Sequence, residues 1–357
     1  TMQRILCVLS FGLGVVLPGM GQNMRGDLVD VSEAFQRLDP VYFIPARTEA
    51  FDPATGQGQL RWQRYERQPS LSFGKIDRPL VRAQSTEFPA TEYDQDPVLP
   101  FSIEPISAQS VRLRLLTRAA QADDAPSLML AGPVPRDTRW QVHQTDSLIT
   151  LTSPAGYQVW LYRDPWRIAF YAPDGRLLTR TMTLQEPATF AFDRVPFCYI
   201  RRSEDLSHWT AATFELAPEE KLFGTGESFT RLNKRGQKVV AFLRDGMGAQ
   251  SQRMYKPIPF FLSSQGYGVF VHTSTPVTFD FGYTFDQFNT IYTGDETLDL
   301  FFFFGTPKQI LSEYTALTGR SPVPPLWSFG LWMSRITYDS EQQVREVAAK
   351  LRQHRIP

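Results

Sequence analysis

From Ser110 to Phe304 the chain is a succession of short alternating segments divided by turns, with no long amphipathic helix among them. Val111, Leu113 and Leu115 alternate with Arg112 and Arg114, the period of a strand with one face in a core. Leu148–Thr152, Gln158–Arg163 and Trp166–Tyr171 follow, with Asp164-Pro165 and Pro173-Asp174-Gly175 as turns. Consecutive strands joined so tightly must pair antiparallel. Thr210–Glu215, Val239–Arg244, Tyr267–Thr273, Val277–Phe281 and Leu298–Phe304 continue the pattern, and the first clear helix is Thr306–Leu317. Such an order predicts a large antiparallel sandwich. The stretch Gln22–Pro100 reads as loop-rich, with short strands at Gln59–Tyr65, Ser70–Phe73 and Phe101–Pro105 around it.

After Thr318-Gly319-Arg320 the character changes. Ser321–Pro325 holds three prolines and predicts a stiff linker. Leu326–Met333 is almost wholly apolar, as in a parallel strand buried on both faces. Ser340 and Gln343 form a capping box. Val344, Val347, Ala348 and Leu351 then lie on one helical stripe. A strand, a turn and an amphipathic helix make one β/α unit, which needs a next strand to pair with. Pro357 stands where that strand is expected to begin, so the unit reads as truncated.

Composition excludes some classes. The 357 residues carry 37 basic and 37 acidic side chains, and no basic tract suggests nucleic acid. The 27 Phe and 7 Trp suit a broad β core or a sugar-stacking cleft. Met2-Gln3-Arg4, the apolar run Ile5–Leu17 and Gly19-Met20-Gly21 form a secretory signal pattern over residues 1–21. That run is too short to span a membrane. The expected location is therefore secreted or periplasmic. Cys198 would remain as a single core thiol. His143, His208, His272 and His354 show no metal spacing, and no cofactor is expected.

Three segments carry a resemblance. Lys221-Leu-Phe-Gly-Thr-Gly-Glu-Ser-Phe229 holds too few glycines, and no following helix, to cradle a phosphate; alone it reads as a turn feeding a loop. Phe242-Leu-Arg-Asp-Gly-Met-Gly248 alone reads as a solvated turn. Tyr255-Lys-Pro-Ile-Pro-Phe-Phe-Leu-Ser-Ser264 reads as a sheet strand. Together they resemble glycoside hydrolase family 31, the third segment being most like bacterial α-xylosidases. Trp327-Ser-Phe-Gly-Leu-Trp-Met-Ser-Arg335 resembles that family's first barrel strand.

The resemblance implies a galactose mutarotase-like β-sandwich over 22–320 and the start of a (β/α)8 barrel at 321–357. It implies retaining hydrolysis of α-glycosides, an oligosaccharide substrate and frequent homo-oligomers. It places Asp245, with Arg244 beside it, on a loop reaching toward the sugar; Leu243 replaces the family's usual Asn. Arg335 falls at the C-terminal end of the barrel strand, where such barrels hold their sites. The nucleophile and acid/base Asp are expected beyond Pro357, so no residue here is assigned a catalytic role and the chain alone is expected to be inactive. α-Xylosidase is the first expectation and α-glucosidase the second. A non-catalytic carbohydrate-binding sandwich is the alternative from another class, and it leaves the β/α unit unexplained.

Overall fold

The computed structural model describes residues 29–72, 75–83, 95–119, 126–182, 184, 194–243 and 256–356. The chain divides into two compact units, Thr1–Thr318 and Gly319–Pro357.

The first unit is built on a 14-stranded antiparallel sheet. Its path runs through Leu222–Glu227, Lys256–Ser263, Tyr267–Val271, Thr297–Phe304, Ser110–Leu116 and Val98–Ser107. It continues through Gln57–Arg67, Val41–Asp52, Cys198–Arg201, His208–Glu215, Phe288–Thr293, Val277–Phe281 and Lys238–Ala241, and the fourteenth strand, Leu80–Arg82, pairs off this path with Gln57–Arg67. A five-stranded meander, Gln141–Gln144 to Leu177–Arg180, makes the second layer.

The layers meet through alternate side chains. Leu113, Leu115, Phe101, Trp62, Phe302 and Phe304 of the large sheet share one core with Val159, Leu161, Ile168 and Phe170 of the small one. The Phe170 and Phe302 rings stack at 4.2 Å. Each fully buried side chain of this kind contributes about 1.5–3 kcal/mol. The unbroken apolar run Leu300–Phe304 is explained by cover on both faces. Phe302 and Phe304 face the sandwich, whereas Phe301 and Phe303 pack with Ile310 and Leu317 of helix Pro307–Thr318. On another part of the outer face, Val31 and Phe35 of a 3-10 helix pack on Tyr42, Cys198 and Tyr292. Cys198 is buried among them, and burial pushes its thiol pKa up.

One sequence expectation for this unit needs correction. The stretch Gln22–Pro100 is not mainly loop. Val41–Asp52 and Gln57–Arg67 form a long hairpin, closed by Asp52, whose carboxylate accepts from the Ala54 amide and the Thr55 hydroxyl. Register shifts between Pro45 and Arg47, and between Thr48 and Ala50, disrupt the period-two signal in the first strand. Asp280 is 4% exposed, and its carboxylate accepts from the amides of Tyr283 and Thr284, closing a turn.

In the second unit the helix Glu341–Gln353 forms as expected, with Ser340 Oγ accepting from the Gln343 amide. The Gln343 side chain accepts from the amide of Asp339 rather than that of Ser340. Leu326–Met333 does not form a strand: Leu326–Phe329 is one 3-10 turn. A strand is stabilised by its ladder, and among the described residues of this unit there is no second strand to supply one.

Candidate substrate-loop scaffold

The described residues around the predicted sugar loop form a braced frame. Strand Leu222–Glu227 pairs with Lys256–Ser263, and the register shifts between Gly224 and Gly226. Gly224, Thr225 and Gly226 have φ of 118°, 70° and 92°. Three successive left-handed residues cost an L side chain strain at each position. The motif is therefore a bulged strand, a correction to the turn expected from sequence. Its glycines are required by proximity as well as by φ. A Cβ on Gly226 would sit 2.1 Å from the Lys256 carbonyl oxygen, and one on Gly224 would sit 2.7 Å from that of Phe260. Gly226→Ala is expected to destabilise the unit by about 1–3 kcal/mol, read as a lowered urea midpoint; an unchanged midpoint would contradict the bulge.

Buried polar groups hold this bulge from behind. Glu220 is fully buried; its carboxylate accepts from the Ala217 amide at 2.8 Å, the Tyr267 hydroxyl at 2.8 Å and the Ser263 hydroxyl. Burial raises its pKa, and these three hydrogen bonds oppose the rise. Asn233 Oδ1 accepts from the amides of Leu222 and Arg235, each at 3.1 Å. The Arg235 guanidinium donates to the carbonyls of Ala217, Glu220 and Asp286. Lys234 is buried, its ammonium donating to Thr230 Oγ1 at 2.6 Å, and burial lowers its pKa. Sequence gave no sign of Glu220 or Lys234, since both lie in polar stretches that read as exposed.

The frame ends on both sides of residues 244–255. Ala241, Phe242, Leu243, Pro257, Pro259 and Thr273 line a cleft of about 280 Å³ there. Leu243 is exposed, as are Phe229 and Leu232 on the neighbouring loop. Glu227 and Lys256 face each other at 3.5 Å across the strand pair, both largely exposed, so the pair adds little stability. Arg244 and Asp245 lie outside the described residues, as do residues 1–21. Arg335 belongs to the second unit. It is exposed, donates from Nε to the Thr337 carbonyl at 3.0 Å and lies over the Tyr338 ring at 4.8 Å. Among the described residues, no group of three His, Cys, Asp or Glu is arranged to hold a metal, and no helix is long and apolar enough to cross a membrane.

Comparison with known proteins gives this frame its context. The glycosyl hydrolase 31 N-terminal galactose mutarotase-like domain matches residues 100–280, and the TIM-barrel domain of glycosyl hydrolases family 31 matches residues 321–357. The α-xylosidase XylQ of Lactiplantibacillus pentosus is 37% identical over 190 residues, covering 52% of this chain and 23% of that protein. Alpha-glucosidase 2 of Bacillus thermoamyloliquefaciens is 30% identical over 223 residues, covering 60% and 26%. The chain thus spans about a quarter of the length of these relatives. Among solved structures, the Flavobacterium johnsoniae family 31 dextranase complexed with glucose shares the fold with a TM-score of 0.65 and 19% identity, over 88% of this chain and 33% of that one. With half of its residues matched by the N-terminal domain and its last 37 by the barrel domain, the chain belongs to glycoside hydrolase family 31.

Proposed function

We propose that this chain is the N-terminal part of a secreted or periplasmic retaining α-glycosidase that releases terminal α-linked xylose from oligosaccharides. The observation that carries the reading is the 37% identity to an α-xylosidase. The 30% identity to an α-glucosidase supports glucose as the second reading. In this reading residues 22–320 are the sandwich domain, the barrel begins at 321, and residues 1–21 are a signal peptide. In this reading the barrel supplies the chemistry, and the sandwich domain supplies the loop that carries Asp245 to the sugar.

Retention requires two carboxyls about 5–5.5 Å apart, one a nucleophile and one an acid/base. Both belong to barrel strands following the second unit, so the chain alone hydrolyses nothing. Asp245 accepts hydrogen bonds from hydroxyls of the sugar being cleaved, and an ionised carboxylate is a stronger acceptor than a neutral group. Arg244 and Arg335 are the other two residues assigned to substrate in this reading. The bulge at Gly224–Gly226 and the buried Glu220 hold strand Lys256–Ser263, which follows residues 244–255, whereas the preceding strand Lys238–Ala241 is held by its pairing with Val277–Phe281. A frame that does not move keeps a hydrogen-bonding loop in productive register.

The test compares 4-nitrophenyl α-D-xyloside with the α-D-glucoside, using the whole enzyme. Higher kcat/KM on the xyloside is expected. Preference for the glucoside would replace the first sugar by the second. The two substrates differ by one hydroxymethyl group, a contrast worth about 1–3 kcal/mol in a pocket.

A further inference from the structure

The outer face of the large sheet carries a second polar groove, built across four strands. Gln57 registers with Ser102, Ser102 with Arg114, and Arg114 with Asp299. One strand position along, Glu104 registers with Arg112. Residues opposite one another in a ladder share a face, and Phe101, Ile103, Leu113 and Leu115 between them face the sandwich core. The row is therefore on the outer side.

Two cavities of about 330 Å³ and 640 Å³ lie over this row, and both are lined by Gln57 and Arg114, so they form one groove. Ser102, Phe51 and Leu116 line the first, whereas Glu104, Arg112 and His272 line the second, with Pro126–Arg136 contributing the facing wall. Both volumes are of the size used for small-molecule sites.

The chemistry of the groove points to a neutral polyhydroxylated ligand. Arg114 is paired with Glu104 at 2.8 Å, and Arg112 with Asp299 at 2.6 Å. These pairs neutralise each other, and Asp52 and Arg136 add one charge of each sign to the lining, so donors and acceptors alternate without a net charge, which suits hydroxyls that both donate and accept. A carboxylated ligand would have Glu104 and Asp52 facing it. Leu116 offers apolar surface for the C–H face of a sugar ring. A further observation is independent of these. Ser102 is 6% exposed and lines the groove, yet its hydroxyl has no hydrogen-bond partner among the described residues. A buried hydroxyl is ordinarily satisfied, and a ligand hydroxyl in the groove would satisfy this one.

We propose that this groove is a non-catalytic binding site for a neutral oligosaccharide, in which Asp245 takes no part. The ligand class rests on the α-glycosidase reading above. The probes are isomaltotriose and xyloglucan heptasaccharide, titrated into the purified chain by calorimetry. Saturable binding is expected. Ser102→Ala and the double variant Gln57→Ala/Gln59→Ala are each expected to weaken it about five- to tenfold, the value of one or two neutral hydrogen bonds. Neither should lower thermal stability, because Ser102 Oγ bonds nothing in the protein and both glutamines are exposed. Asp245→Ala should bind as wild type.

Binding that is unchanged in the groove variants, or lost in Asp245→Ala, overturns the proposal. So does the absence of binding at about 10 mM sugar, the weak end of useful affinity. Preference for a glucuronic acid-bearing oligosaccharide overturns the neutral assignment. Hydrolysis by the whole enzyme is the separating control. Activity without groove binding removes only this proposal, and absence of activity removes the reading on which its ligand class rests.

Discussion

Asp245→Ala in the whole enzyme is expected to lower kcat/KM on 4-nitrophenyl α-xyloside by about 10³-fold. The figure follows from two hydrogen bonds between sugar hydroxyls and a carboxylate. Each charge-assisted bond is worth about 1.5–3 kcal/mol, and 1.4 kcal/mol is a factor of ten. The loss should fall on kcat as well as KM, because the hydroxyls next to the cleaved bond move as the ring distorts toward its transition state. Asp245→Asn, which keeps one acceptor oxygen without charge, should lie between the two. Thermal stability should be unchanged in both variants. A wild-type kcat/KM in Asp245→Ala would show that the loop does not reach the sugar.

The second large effect is on stability. Asp299→Ala is expected to cost about 3–5 kcal/mol, the usual result of stripping a buried charge of its partner. Arg112 is 5% exposed and lies over the Phe301 ring. It reaches Asp299 through two bonds of 2.8 and 2.6 Å. His272 Nδ1 adds a third contact at 2.8 Å, and its Nε2 lies 2.8 Å from Ser127 Oγ. Removing Asp299 therefore takes the two-oxygen acceptor from a buried guanidinium and loosens the segment that begins at Pro126. Arg112→Met combined with Asp299→Leu should recover part of the loss, because an apolar pair leaves no unpaired charge.

The effect has a pH signature. Burial alone would push the Asp299 carboxyl up, but hydrogen bonds from Arg112 and His272 outweigh it and hold the pKa below its ordinary value. The folded state then binds this proton less readily than the unfolded chain. The stability it contributes is complete above the unfolded pKa of about 3.9 and is lost as pH falls through the lower folded value. The gap between wild type and Asp299→Ala, measured by urea unfolding, should be constant near neutrality and shrink below about pH 4. A gap that grows on acidification would contradict the ion pair.

This network also shows where the sequence stops being informative. Arg112 and Arg114 alternate with apolar residues and so read as one polar face of a strand. Both are in fact buried, because Asp299 and Glu104 on the flanking strands pair with them. Asp299 is 187 positions from Arg112, and no local pattern announces such a partner. Many strands between Ser110 and Phe304 were legible because one face is apolar and turns are marked by Pro, Asp and Gly, whereas Gln141–Gln144, Leu177–Arg180, Cys198–Arg201 and Phe288–Thr293 were not. Val41–Asp52 was not, because its bulges break the period. The Gly-Thr-Gly motif was visible as residues, but its bulge depends on how closely Lys256 and Phe260 approach. Asp245 and Arg244 are assigned only through resemblance, since an Arg-Asp-Gly turn has no signature of sugar binding in itself, and both lie outside the described residues.

The most direct test of the account is the anomer first released when the whole enzyme cleaves an α-xyloside, followed by proton NMR before mutarotation. A retaining family 31 enzyme should release α-xylose first, from a double displacement between two close carboxyls. Release of β-xylose, or no hydrolysis of either α-xyloside or α-glucoside, would contradict it.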